Sequence, residues 1–166
     1  VDQTMDALNN VELHTANLTI HEGGVLEIVG AASLYVNVLN VSGTLKATGG
    51  MSLVGRSMLS QPCVTGCNEL GAAHGGVGGK TSHSPYMYEA GYTTTYGSVT
   101  YPIEVGSLVD SRYVGGGAVR VIATSMVIIG PKGILSADGK KAGAGGGSGG
   151  SVLVIAPQIL SDGLIS

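Results

Sequence analysis

Short aliphatic runs in which apolar and polar positions alternate mark both ends of this chain. Between residues 11 and 50 they are Val11-Glu12-Leu13, Leu18-Thr19-Ile20, Val25-Leu26-Glu27-Ile28, Leu34-Tyr35-Val36-Asn37-Val38 and Leu39-Asn40-Val41. Between 115 and 166 they are Ala118-Val119-Arg120-Val121-Ile122-Ala123, Met126-Val127-Ile128-Ile129 and Ser151-Val152-Leu153-Val154-Ile155-Ala156. A period of two, bounded by Gly, Asn or Ser, predicts short strands, because successive side chains of a strand point to opposite faces. No stretch holds a 3.6-residue apolar period with caps, so little helix is expected. The unbroken run Met126 to Ile129 reads as a strand buried on both faces, as in a covered parallel sheet.

These runs recur. A glycine followed by an apolar step appears as Gly24-Val25-Leu26-Glu27-Ile28, Gly43-Thr44-Leu45-Lys46-Ala47, Gly133-Ile134-Leu135-Ser136-Ala137 and Gly163-Leu164-Ile165-Ser166. Leu18-Thr19-Ile20 aligns with Leu39-Asn40-Val41 about 21 residues on, a repeat length at which one coil of chain stacks on the next. The expected fold is all-β: a right-handed parallel β-helix (β-solenoid) of five to seven coils. It forms a single module over 1–166, with coils at 11–50 and 115–166 and a long Gly/Tyr-rich loop excursion over 51–114. The glycine-rich stretch 143–150 is expected as a loop outside the stack or a tight turn needing positive φ.

Composition supports a buried core without large rings. The chain of 166 residues has 29 Gly, no Trp, no Phe and 11% charged residues, yet is 43% hydrophobic. A disordered chain of that charge would be poor in Val, Ile and Leu. A net charge of −3 and the lack of a basic stripe argue against nucleic acid as a partner. The apolar stretches are far too short for a membrane span, and no signal-like segment opens the chain. Because it starts and stops inside patterned segments, it reads as a segment of a longer protein.

Cys63 and Cys67 lie in Gln61-Pro62-Cys63-Val64-Thr65-Gly66-Cys67. A small disulfide loop, free thiols, or a metal pair joined by His74 are the alternatives; no second ligand pair supports the metal, and none is expected. Sequons at Asn17-Leu18-Thr19 and Asn40-Val41-Ser42 fall in equivalent positions of two repeats, which would put Asn17 and Asn40 on one side of the stack. Together with the cysteines they suggest an extracellular or cell-surface setting.

The excursion holds six of the seven tyrosines: Tyr86, Tyr88, Tyr92, Tyr96, Tyr101 and Tyr113. A long loop is usually functional, so contacts to a ligand or protein are expected at Tyr86, Tyr88, Tyr92, Tyr96, Tyr101 and His74. The rings either stack on sugars or pin the loop to the wall. His74, set between Ala73 and Gly75, is either packed on backbone or part of a binding site. His14 and His21 read as solvent-facing.

Two motifs fail on context. Gly75-Gly76-Val77-Gly78-Gly79-Lys80-Thr81 lacks the first glycine of a phosphate loop, and Ser82-His83-Ser84-Pro85 cannot open the helix it needs. Gly146-Gly147-Ser148-Gly149-Gly150 matches G-x-S-x-G, but no histidine follows Ser148. Acids are sparse, and no catalytic residue or cofactor is expected.

The ordered series Gly71-Ala72-Ala73-His74-Gly75-Gly76-Val77-Gly78-Gly79, Tyr96-Gly97-Ser98, Pro102, Gly106-Ser107, Gly115-Gly116-Gly117-Ala118-Val119-Arg120-Val121 and Gly145-Gly146-Gly147-Ser148-Gly149-Gly150-Ser151 resembles a glycine-rich module of giant surface proteins of protists and some bacteria. The resemblance spans about residues 18–166 and departs from the usual pattern at Leu108-Val109-Asp110-Ser111-Arg112. It implies right-handed β-helices, secreted or displayed on cells, some of them building filaments such as mastigonemes, and it carries no catalytic residues.

The functional expectation is a non-catalytic structural module of an extracellular filament or giant surface protein, its partners being neighbouring modules or copies of itself. A carbohydrate-binding or adhesion module using the tyrosine loop is one alternative. A polysaccharide-cleaving β-helix enzyme, needing a groove where groups such as Asp110, Arg112 and Arg120 converge, is the other.

Overall fold

The computed structural model describes residues 10–52, 72–75, 95–108, 114–141 and 146–166. They form strands and connections, with no helix among them. In chain order the strands are β1 (Asn10–Ile20), β2 (Val25–Val29), β3 (Ala31–Val41), β4 (Thr44–Gly50), β5 (Gly115–Gly116), β6 (Ala118–Ile129), β7 (Ile134–Ser136), β8 (Ser151–Ile155), β9 (Gln158–Ser161) and β10 (Leu164–Ile165).

Two parallel sheets result, and the chain alternates between them except at β5, which stays with β4, and at β8 and β9, which both pair with β6. One runs β1-β3-β6-β8, with β9 also on β6; the other runs β2-β4-β7-β10, with the two-residue β5 antiparallel to β4. The register is the one the repeats predict. Leu18 pairs with Leu39, and Val25, Thr44, Ile134 and Leu164 stand side by side. All four glycine-led steps are therefore neighbouring strands of one sheet. Among the described residues the stack is four strands deep in each sheet, where five to seven coils are expected.

Register turns the aliphatic positions into columns. Leu26, Leu45, Leu135 and Ile165 form one; Leu18, Leu39, Val127 and Ile159 another; Leu13, Leu34, Val121 and Val154 a third. The middle members are buried and make the core. Burying such side chains stabilises by about 1.5–3 kcal/mol each, and parallel ladders supply the backbone pairing.

Three sequence expectations change. Runs read as separate strands are continuous in β3 and β6; in β3 the buried positions shift parity between Val36 and Leu39, whereas β6 keeps its parity from Ala123 to Val127 past the exposed Ser125. At that place the β3–β6 register slips by one residue, and the outward Thr124 hydroxyl donates to Asn37 Oδ1 at 2.8 Å. Met126 to Ile129 is not buried on both faces; Met126 and Ile128 are half-buried while Val127 and Ile129 are enclosed.

The third change concerns the insertions. Ser52, Ala72, Ala73, Ser107 and Leu108 of the 51–114 excursion are buried, and Ser52 bridges to Ser107. The described part of 143–150 is packed, not external, and has no positive φ. Gly150 N–H donates to Ala137 O at 2.7 Å and Gly116 N–H to Ser148 O at 2.9 Å, so three backbone segments lie against one another. Glycine is required there for want of room.

Candidate functional site

Two clusters of polar and aromatic groups stand out. The first joins the inserted segments. His74 O accepts the Tyr96 N–H at 2.9 Å, and the two rings pack at 4.6 Å between centroids. The Tyr96 hydroxyl donates to Val105 O at 2.5 Å and accepts from Ser107 Oγ at 2.9 Å. Ser107 N–H donates to Ser148 Oγ at 2.7 Å, and Ser151 Oγ to Glu104 O at 2.6 Å. These bonds tie 72–75 and 95–108 to the start of β8.

Beside this knot lies a cavity of about 390 Å³ lined by His74, Tyr96, Val99, Pro102, Ser151 and Val152 among others. Among the described residues no lysine, arginine or carboxylate lines it. His74 Nε2 is buried without a hydrogen-bond partner. Gly97, at φ +98°, covers it: a Cβ there would lie 2.9 Å from Nε2. The tyrosine ring is thus a pin at Tyr96, whatever ligand the cavity takes. Tyr96→Phe keeps the ring and removes the bonds of the hydroxyl. We expect a loss of about 1–2 kcal/mol in urea unfolding, with the m-value unchanged.

The second cluster is on the outward face of the first sheet. His14 and Tyr35 are register partners on β1 and β3, and their rings stack at 4.5 Å and 9°. The Arg120 guanidinium on β6 lies 5.8 Å from the Tyr35 centroid. Its Nη2 donates to Tyr35 Oη at 2.6 Å and its Nη1 to Tyr101 Oη at 2.8 Å, while Nε is buried and unpartnered. The bond to Tyr101 and the two phenols hold the Arg120 pKa above its already high ordinary value. Tyr101 itself is 44% exposed.

The other predicted positions separate. Asn17 is exposed and Asn40 half-buried. They are not equivalent: Asn17 pairs with Val38 and Asn40 with Thr19, two positions out of register, because the sequons are spaced further apart than one repeat. Cys63, Cys67, Tyr86, Tyr88 and Tyr92 lie outside the described residues, as do Asp110 and Arg112. Among the described residues no three His, Cys, Asp or Glu side chains gather as metal ligands, and no helix is long and apolar enough to cross a membrane.

Sequence reasoning passed over Tyr35; His14 is exposed as expected, and its stacking on Tyr35 was not foreseen. The signal was present, since the two lie one repeat apart and a parallel stack places such residues side by side. Comparison with protein-family models, with curated proteins and with solved structures finds no match.

Proposed function

We propose that the two parallel sheets are walls of a right-handed β-solenoid, and that this chain is a structural module of an extracellular filament or giant cell-surface protein. The observation that carries the reading is the state of the two end tiers. Among the described residues nothing pairs the outer edges of β1 and β2, or those of β8, β9 and β10. There the apolar columns open to solvent: Leu13 and Val11 on one side, Ile159 and Ile165 on the other. Such edges template further strands unless they are continued or covered. A stack built by one register rule can be extended by the same rule, so neighbouring modules or further copies are the partners this reading assigns.

The two sequons support an exported setting. A carbohydrate-binding module is the second reading, favoured by the uncharged cavity between His74 and Val152.

Antibody-gold labelling of negatively stained surface material from cells that make the protein tests the first reading. Label spaced along fibre shafts or surface projections is the expected result. Label confined to the cell interior overturns it.

A further inference from the structure

We propose that Arg120, with Tyr35, Tyr101 and His14 around it, is a recognition site for the oxyanion group of an acidic polysaccharide, a carboxylate or a sulfate ester. The inference rests on the outward face of the first sheet and not on the filament reading.

The starting point is a cation without a counter-ion. The described ion pairs are His14 with Glu12, Lys46 with Glu27 and Lys132 with Glu22; Arg120 is in none of them. Both of its partners are neutral phenols. A guanidinium offers five N–H donors in a fixed fork. Two are used here, and the Nε–H has no acceptor. Phenols, unlike carboxylates, orient the group without neutralising it, so its full charge remains for an oxyanion that matches the fork. Arg120 is half-buried, and Tyr101, its most exposed partner, is the group a ligand would reach first.

The surroundings select the class of ligand. In register Arg120 stands between Ser33, which is buried, and Leu153, with Glu12 one strand beyond Ser33 and paired with His14. Among the described residues no lysine or second arginine is bonded into this cluster. A phosphate-rich polymer or a membrane surface calls for several cations together. One cation framed by two phenols, with a carboxylate two strands away at Glu12, fits a polymer whose anions are widely spaced, which describes an acidic sugar chain, and disfavours a densely charged one. The ring faces of Tyr35 are taken by His14 and Arg120, so binding proceeds through hydrogen bonds and charge, not by a sugar stacking on Tyr35.

The test titrates the whole chain with alginate and with dextran sulfate, using dextran as the neutral control and polyglutamate as the anionic non-sugar control. Binding is followed by calorimetry and by the NMR signals of the Arg120 Nε–H and the Tyr35 and His14 rings. The expected result is binding to at least one of the acidic glycans and not to dextran, with those signals shifting and affinity falling only shallowly as salt is raised, as one engaged cation requires. Arg120→Gln is expected to weaken binding at least tenfold, with Arg120→Lys intermediate because a point charge replaces the fork. Binding to alginate alone assigns a carboxylate, and to dextran sulfate alone a sulfate; either supports the site. Equal binding of polyglutamate overturns the sugar assignment. Wild-type binding that leaves the Arg120, Tyr35 and His14 signals unmoved, or no binding to either acidic glycan, overturns the site itself, whether or not Arg120→Gln folds.

Discussion

Gly150→Ala is expected to lose about 4 kcal/mol or more, enough to unfold a marginally stable domain, whereas Gly149→Ala next to it should change stability by less than about 1 kcal/mol. The two positions differ only in what surrounds them. A Cβ on Gly150 would sit 1.8 Å from Gly117 O and 2.7 Å from Gly116 C, while one on Gly149 meets nothing closer than Ala137 O at 4.0 Å. The neighbours of Gly150 are backbone atoms of a segment that is itself held. Gly117 N–H donates to Ala47 O at 3.0 Å and Gly117 O accepts from Ser151 N–H at 3.1 Å. No rotamer change can make room, so strand β8 would have to leave β6. Urea unfolding followed by circular dichroism measures both variants. Equal stabilities for the pair would show that the glycine layer is not close-packed.

Leu39→Ala is expected to cost about 2–5 kcal/mol, and Ile159→Ala only about 1–2, although both belong to one column. Leu39 is fully enclosed between Leu18 and Val127, so truncation leaves a void that neighbours on paired strands cannot collapse into. Ile159 ends the same column and is 45% exposed, so part of its apolar surface already meets water. Denaturant unfolding at low protein concentration reads the difference. The same comparison bears on assembly: if the end tier is covered by a neighbouring module or copy, the cost of Ile159→Ala should rise toward that of Leu39→Ala as protein concentration increases.

Much of this architecture was legible from residue spacing. A slip of one residue in a parallel pair would turn every buried side chain of a strand outward, so an alternating pattern that repeats carries its own register. That is why Leu18 and Leu39 pair as their spacing requires, and why the four glycine-led steps became four adjacent strands. The same logic would have joined His14 to Tyr35, had the polar positions been read with the apolar ones. The long strands were less visible. Asn37 and Ser125 look like strand ends locally, yet both strands continue, β3 with a change of parity and β6 with one extra residue in the register. The Tyr96 pin was legible only as an alternative, because a tyrosine that ties down a loop and one that meets a ligand have the same sequence.

What this chain determined by its sequence alone is its strand content, the sign of each strand position and the stacking order of the repeats, since these depend on periodicities that any observer of the chain can count. What only the tertiary structure decided is where chain outside the repeats comes to rest. Gly146 to Gly150 reads as a flexible loop until Gly116, Gly117 and Ala137 are seen pressing on it from segments elsewhere in the chain. Arg120 reads as an ordinary outward strand residue until Tyr35 and Tyr101, 85 and 19 positions away, are found at its guanidinium. Local periodicity cannot encode such meetings, because they depend on which distant backbone fills the space beside each strand.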